Sequence, residues 1–201
     1  MHLDGGIACL DFVNSAYNTE KEVIVERLHT YSDILILAGR LELLDENVLK
    51  NLKIKAEKNT LEADQVLKVA RKIRQSMFHV FTALANGKME DLSKEVLNDF
   101  NDAVKSALNN RIFIIVETEL IFSWKDVLSN LMLPIWAFSL SAYELLKNED
   151  QHLIKKCSAC EWLFLDKTKN HRRRWCDMQT CGSSEKSRRY YQKFKVNQAQ
   201  R

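Results

Sequence analysis

Residues 157–182 read C-S-A-C-E-W-L-F-L-D-K-T-K-N-H-R-R-R-W-C-D-M-Q-T-C-G. Four of the chain's five cysteines fall in this window, as C-x2-C-x15-C-x4-C: Cys157, Cys160, Cys176 and Cys181. Zn2+ takes four ligands in a tetrahedron and accepts thiolate sulfur readily. A C-x2-C turn aims two sulfurs at one ion, and a loop of this length returns a second pair to close the shell. The spacing therefore predicts one structural zinc. Disulfides would need an oxidising compartment, and the start M-H-L-D-G-G has neither the basic nor the apolar region of an export signal. A redox pair at Cys157 and Cys160 would leave Cys176 and Cys181 without a role. Cysteines serving as small apolar residues would not cluster in this way, a reading that suits only Cys9.

Zinc binding would turn the loop between the cysteine pairs into a hairpin, residues 162–165 running out and 171–175 running back. Its apolar side chains would cover the metal. Lys167, Lys169, Arg172, Arg173 and Arg174 would project from its tip and edge, and Asp166 would order the turn by Asx-type bonding or by pairing with an arginine. Beyond Gly182, Ser183 or Ser184 can cap a helix. On that helix Lys186, Arg189 and Lys193 share a face, with Arg188 beside them. A positive helix next to a positive hairpin is an electrostatic footprint for a phosphate backbone.

The order Phe164, Asp166, Asn170, Arg173, Arg174, Trp175, Cys176, Met178, Cys181, Gly182 resembles the CGNR-type zinc finger. That finger occurs at the C-terminus of bacterial proteins with a helical ABATE domain, described as candidate regulators of transcription under stress. The chain departs from the motif at Ser183-Ser184, where the family has Asn-Arg. Neither is a ligand, so the metal site is expected to survive; the contacts of that arginine are lost. Residues 5–17, G-G-I-A-C-L-D-F-V-N-S-A-Y, resemble the ABATE opening G-x-L-x-L-D-F-x-N-T, with Ser15 for Thr. Asp11 and Asn14, three apart, face the same way on a helix. They read either as a polar pair lining a ligand pocket or as a pair that caps and fixes a turn.

The 201 residues suffice for one domain plus a small module, and 46% are hydrophobic. Only five glycines and one proline point to helix. The net charge of +3 hides an asymmetry: residues 155–201 carry 13 Lys/Arg against four acids, and the remainder 17 against 23. An acidic body with a basic tail suggests two tasks on one chain. No apolar run is long enough to span a membrane. A cytoplasmic location, where thiols stay reduced, is the expectation.

The expected fold is mainly α: a multihelical domain over residues 1–150 with one small β-hairpin, then a four-cysteine zinc module over 151–201, hairpin followed by helix. Apolar periodicity predicts helices over 25–43, from Asp45 to about Lys58, from Thr60 to Asn86-Gly87, and from Asp91 to Asn109-Asn110. Residues 112–116 and 120–124 read as a hairpin packed on the helices. A last helix is expected over 125–147, with Leu128 on its buried stripe and Pro134 kinking it or marking its true start.

These features point to a DNA-binding regulator, its helical body sensing a small-molecule effector or forming a homodimer. An RNA- or protein-binding module is the alternative. An enzyme is not expected. All-thiolate zinc offers no open position for water, and the body has no HExxH, no Gly-rich phosphate loop and no Ser-His-Asp pattern.

Overall fold

In this computed structural model, residues 2–16, 25–188, 190 and 191 are described. The chain is mainly α-helical, with two small antiparallel hairpins and a C-terminal cluster of four cysteines. Its helices are α1 (Ala8–Val13), α2 (Tyr31–Arg40), α3 (Glu46–Lys58), α4 (Thr60–Asn86), α5 (Lys94–Asn109) and α6 (Leu133–Asn148). The strands are β1 (Arg111–Val116), β2 (Glu119–Trp124), β3 (Ile154–Lys156) and β4 (Leu163–Leu165).

Capping chemistry sets the helix boundaries. The expected 25–43 helix begins only at Tyr31. Thr30 and Asp33 form a reciprocal capping box, and the Glu26 carboxylate accepts from the amides of Arg27 and Leu28, holding residues 25–29 outside the helix. Gly39 lies in the last turn of α2, which ends at Arg40. A Cβ there would lie 2.9 Å from the Leu49 Cδ1, the flexible end of a side chain on α3. Asp45 caps α3 as expected, and α4 starts at Thr60 as expected, with Asn59 as its cap. Gly87 closes α4 in the left-handed conformation at φ 65°. Asp91 does not open α5: it lies in a short turn, Met89–Asp91, and Ser93 is the cap. The last helix starts at Leu133 with Pro134 in its first turn, where a missing N–H costs nothing. Residues 125–130 lie outside it, which leaves Leu128 exposed.

α1 is only six residues long and is held by burial: Cys9, Leu10, Phe12 and Val13 are wholly enclosed. Phe12 stacks on Phe138 of α6 with centroids 4.3 Å apart. Phe81 of α4 meets Phe100 of α5 edge-on, and the Tyr31 hydroxyl donates to the Leu131 carbonyl at 2.8 Å. A guanidinium sits inside this body. Arg74, 4% exposed, donates from Nη1 to Glu26 and to Ser15, both at 2.8 Å, and pairs again with Glu26 through Nη2. A buried guanidinium is tolerable only when its donors are met in this way. Burial alone would raise the Glu26 carboxyl, but the Arg74 and Leu28 hydrogen bonds outweigh it and bring it down to about 2.

The β1–β2 hairpin forms where residues 112–124 predicted it, with Glu117 and Thr118 as its turn. It does not pack on the helices along its length. Trp124 at its base stacks on Trp136, whose Nε1 donates to Ser106. Beyond that base Phe113, Ile115, Leu120 and Phe122 face solvent. Among the described residues no helix is long and apolar enough to cross a membrane.

Candidate metal centre and basic face

β3 and β4 pair antiparallel, with Ile154 opposite Leu165 and Lys156 opposite Leu163. Residues 163–165 therefore pair with the segment ahead of Cys157, not with residues 171–175 as expected. The knuckle decides this register: the Cys157 amide donates to the Trp162 carbonyl at 2.8 Å, folding Cys157 and Cys160 into a tight turn. Glu161 completes the turn at φ 61°, a left-handed conformation that costs about 1 kcal/mol for a residue with a side chain.

The returning loop has no strand; Asp166 organises it. This carboxylate is fully buried. Oδ1 accepts from the Thr168 amide and hydroxyl, an Asx turn, and Oδ2 accepts from the Lys155 Nζ at 2.7 Å and the Arg173 amide at 2.9 Å. Its ionic partner is thus Lys155 of β3, not an arginine. Burial would raise its pKa, but these four donors hold it well below the usual carboxylate range. Lys155 also donates to the His171 carbonyl, and the Ser158 amide to the Arg174 carbonyl, which brings Trp175 and Cys176 back beside the knuckle. Asp177 then caps a widened helical turn, Met178–Gly182, that carries Cys181 inward. A Cβ on Gly182 would press on the Met178 sulfur at 3.3 Å.

The result is a four-sulfur cluster. The Sγ atoms of Cys157, Cys160, Cys176 and Cys181 all lie within 4.8 Å of one another. Cys160 and Cys176 are 3.5 Å apart, and Cys176 and Cys181 3.6 Å. Zinc–sulfur bonds of about 2.3 Å in a tetrahedron put sulfurs roughly 3.8 Å apart, so the donor set and spacing fit one zinc. Sulfurs this close oppose one another's ionisation. Donation from Cys160 and Cys176 holds the Cys157 thiol down, and the same contacts push Cys160 and Cys176 up. A dication lets all four be thiolates, and that charge neutralisation is its structural contribution. Trp162 and Phe164 lie buried over the cluster, with Trp175 half-buried beside them.

The basic residues divide by their partners. Lys167 is paired with Glu149 at 2.7 Å, and Arg188 with Glu185 at 2.9 Å. Arg173 Nε donates to the Trp175 carbonyl, and its guanidinium lies 5.1 Å from the Phe164 ring; Arg174 covers Trp175 at 5.6 Å. Lys169, Arg172 and Lys186 are exposed and, among the described residues, in no ion pair. Lys169 and Arg172 line a shallow depression of about 570 Å³ with Thr168, Asn170, Arg173 and Met178. Arg189 and Lys193 lie outside the described residues.

Asp11 and Asn14 are both buried, and backbone engages their polar atoms. Asp11 Oδ1 accepts from the Gly5 amide at 2.9 Å, and burial pushes its carboxyl up to about 6. Asn14 reaches across to the metal module: its Nδ2 donates to the Leu163 carbonyl at 2.9 Å, and its Oδ1 accepts from the Leu163 amide at 3.0 Å. Two residues on, the Leu165 amide donates to the Gly5 carbonyl. The edge of β4 turned away from β3 is thus closed by the chain's own N-terminal segment. Sequence reasoning missed this contact; its one trace was that the ABATE opening ends on a buried-type helix with an amide at its end.

A closed four-thiolate site on a knuckle, a hairpin and a helical turn, fused to a helical body, defines a structural zinc-finger protein. Residues 154–193 match the CGNR zinc finger, and residues 6–110 match ABATE, described as "Putative stress-induced transcription regulator". The chain belongs to the ABATE family and carries a CGNR finger. No curated protein matches it.

Proposed function

We propose that the chain is a DNA-binding transcription regulator, its finger the docking surface and its helical body a sensor or dimerisation unit. The observation that carries this is the partition of the finger's cations. Those needed to build the module are internally satisfied, whereas Lys169, Arg172 and Lys186 stand exposed on a zinc-held frame with no acidic partner among the described residues. Cations left in water on a rigid surface gain most from a phosphate backbone, through release of its condensed counterions. The all-sulfur shell supports a scaffolding rather than a catalytic zinc.

The test is a salt titration of duplex binding by the zinc-loaded chain. The log-log slope should be several, and Lys169→Ala and Arg172→Ala should each lower it by about one. A flat salt dependence, or no binding at low salt, overturns the reading. One observation favours a second reading: Tyr190 and Tyr191 are each 66% exposed, as base-stacking residues for single strands would be. Competition between duplex DNA and single-stranded RNA decides between them.

A further inference from the structure

The β1–β2 ribbon is hard to explain in a lone molecule. Residues paired across it share a face, so Phe113, Ile115, Leu120 and Phe122 form one apolar surface, 65%, 77%, 66% and 45% exposed. Phe113 and Phe122 already touch, centroids 4.9 Å apart. The opposite face is apolar as well, with Ile114, Val116 and Ile121 all exposed. An isolated two-stranded ribbon is marginal in water, and a soluble monomer rarely displays such a surface.

Charge and area say what covers it. The ribbon is polar along its length: Glu117 and Glu119 stand at the tip, Arg111 and Lys125 at the base. None of the four is in an ion pair among the described residues. A two-fold axis across this face would twice bring one copy's Glu117, at the tip, toward the other's base, where Arg111 lies over the Phe122 ring. The four side chains of the first face leave exposed the equivalent of two and a half large residues, on the order of 450 Å². A standard interface takes about 800 Å² from each partner, a little over half of it apolar. One face of this ribbon supplies that share.

We propose that this ribbon is the dimerisation element: a second copy of the chain lays the same Phe113–Ile115–Leu120–Phe122 face on it, antiparallel, acidic tip over basic base. The proposal deepens the dimerisation part of the functional reading and is independent of whether the finger binds DNA. Sedimentation equilibrium on the full zinc-loaded chain at about 100 µM should give twice the 23.4 kDa chain mass. Ile115→Lys should weaken the dimer by about tenfold or more. Because that variant also changes the ribbon itself, a carbodiimide test on the unaltered protein accompanies it. In a mixture of isotopically light and heavy copies, Glu117 should couple to Lys125 of the other copy. A monomeric native chain overturns the proposal. So does a dimer that survives Ile115→Lys undiminished, or one whose intermolecular coupling excludes the ribbon.

Discussion

Asn14 presents a carboxamide to Leu163 as a neighbouring strand would present its backbone, satisfying one amide and one carbonyl in a buried place. Asn14→Ala should cost about 2–3 kcal/mol, because both Leu163 groups would be left without partners. Thermal unfolding checks the size, and faster exchange of the Leu163 amide checks the cause. Asp166 is the finger's counterpart. Lys155→Met removes its ionic partner and leaves a buried carboxylate, at a cost of about 3 kcal/mol. The variant should surrender zinc to a chelator sooner than the native protein, while the far helices α3 and α5 keep their circular dichroism.

Among the elements, α2 is a case where one cap decides where the chain turns helical. Thr30→Ala breaks half of the capping box and should cost about 1 kcal/mol, read as a lowered urea midpoint at unchanged slope. The helices were largely legible in the sequence because caps and periodicity are local: Asp45, Gly87 and the ending at Asn109 act on neighbours three or four residues away. The cysteine site was legible for the same reason, since a ligand spacing is a local pattern. Pairings that depend on distant partners were not. β3 holds three residues, too few to announce a strand, yet it takes β4 from the segment expected to pair with it. Asn14 and Leu163 are 149 positions apart, and nothing in either neighbourhood names the other. The β1–β2 ribbon misled in the opposite direction, since unbroken apolar strands read as buried ones.

For the whole molecule, acid and metal reach the same joints. Glu26, brought down to about 2 in the fold, adds stability above its ordinary value near 4.3 and loses it as pH falls from there toward 2; Asp166 shifts the same way. Asp11 has the opposite sign. Held up to about 6, it binds a proton more readily in the folded chain, so stability declines as pH rises from about 4 to 6. Denaturation midpoints should therefore peak near pH 4–5 for these groups, and Asp11→Asn should abolish the decline on the alkaline side. Chelation should do more than melt the finger: hydrogen exchange should quicken at Leu165 and at Gly5, which the closed strand edge joins. That seam also governs how the protein is to be dissected. A recombinant fragment cut near residue 150 would discard the residues that sheathe one flank of β4, exposing bare amides to any passing strand. A faithful miniature of the finger would carry a grafted copy of residues 5–14.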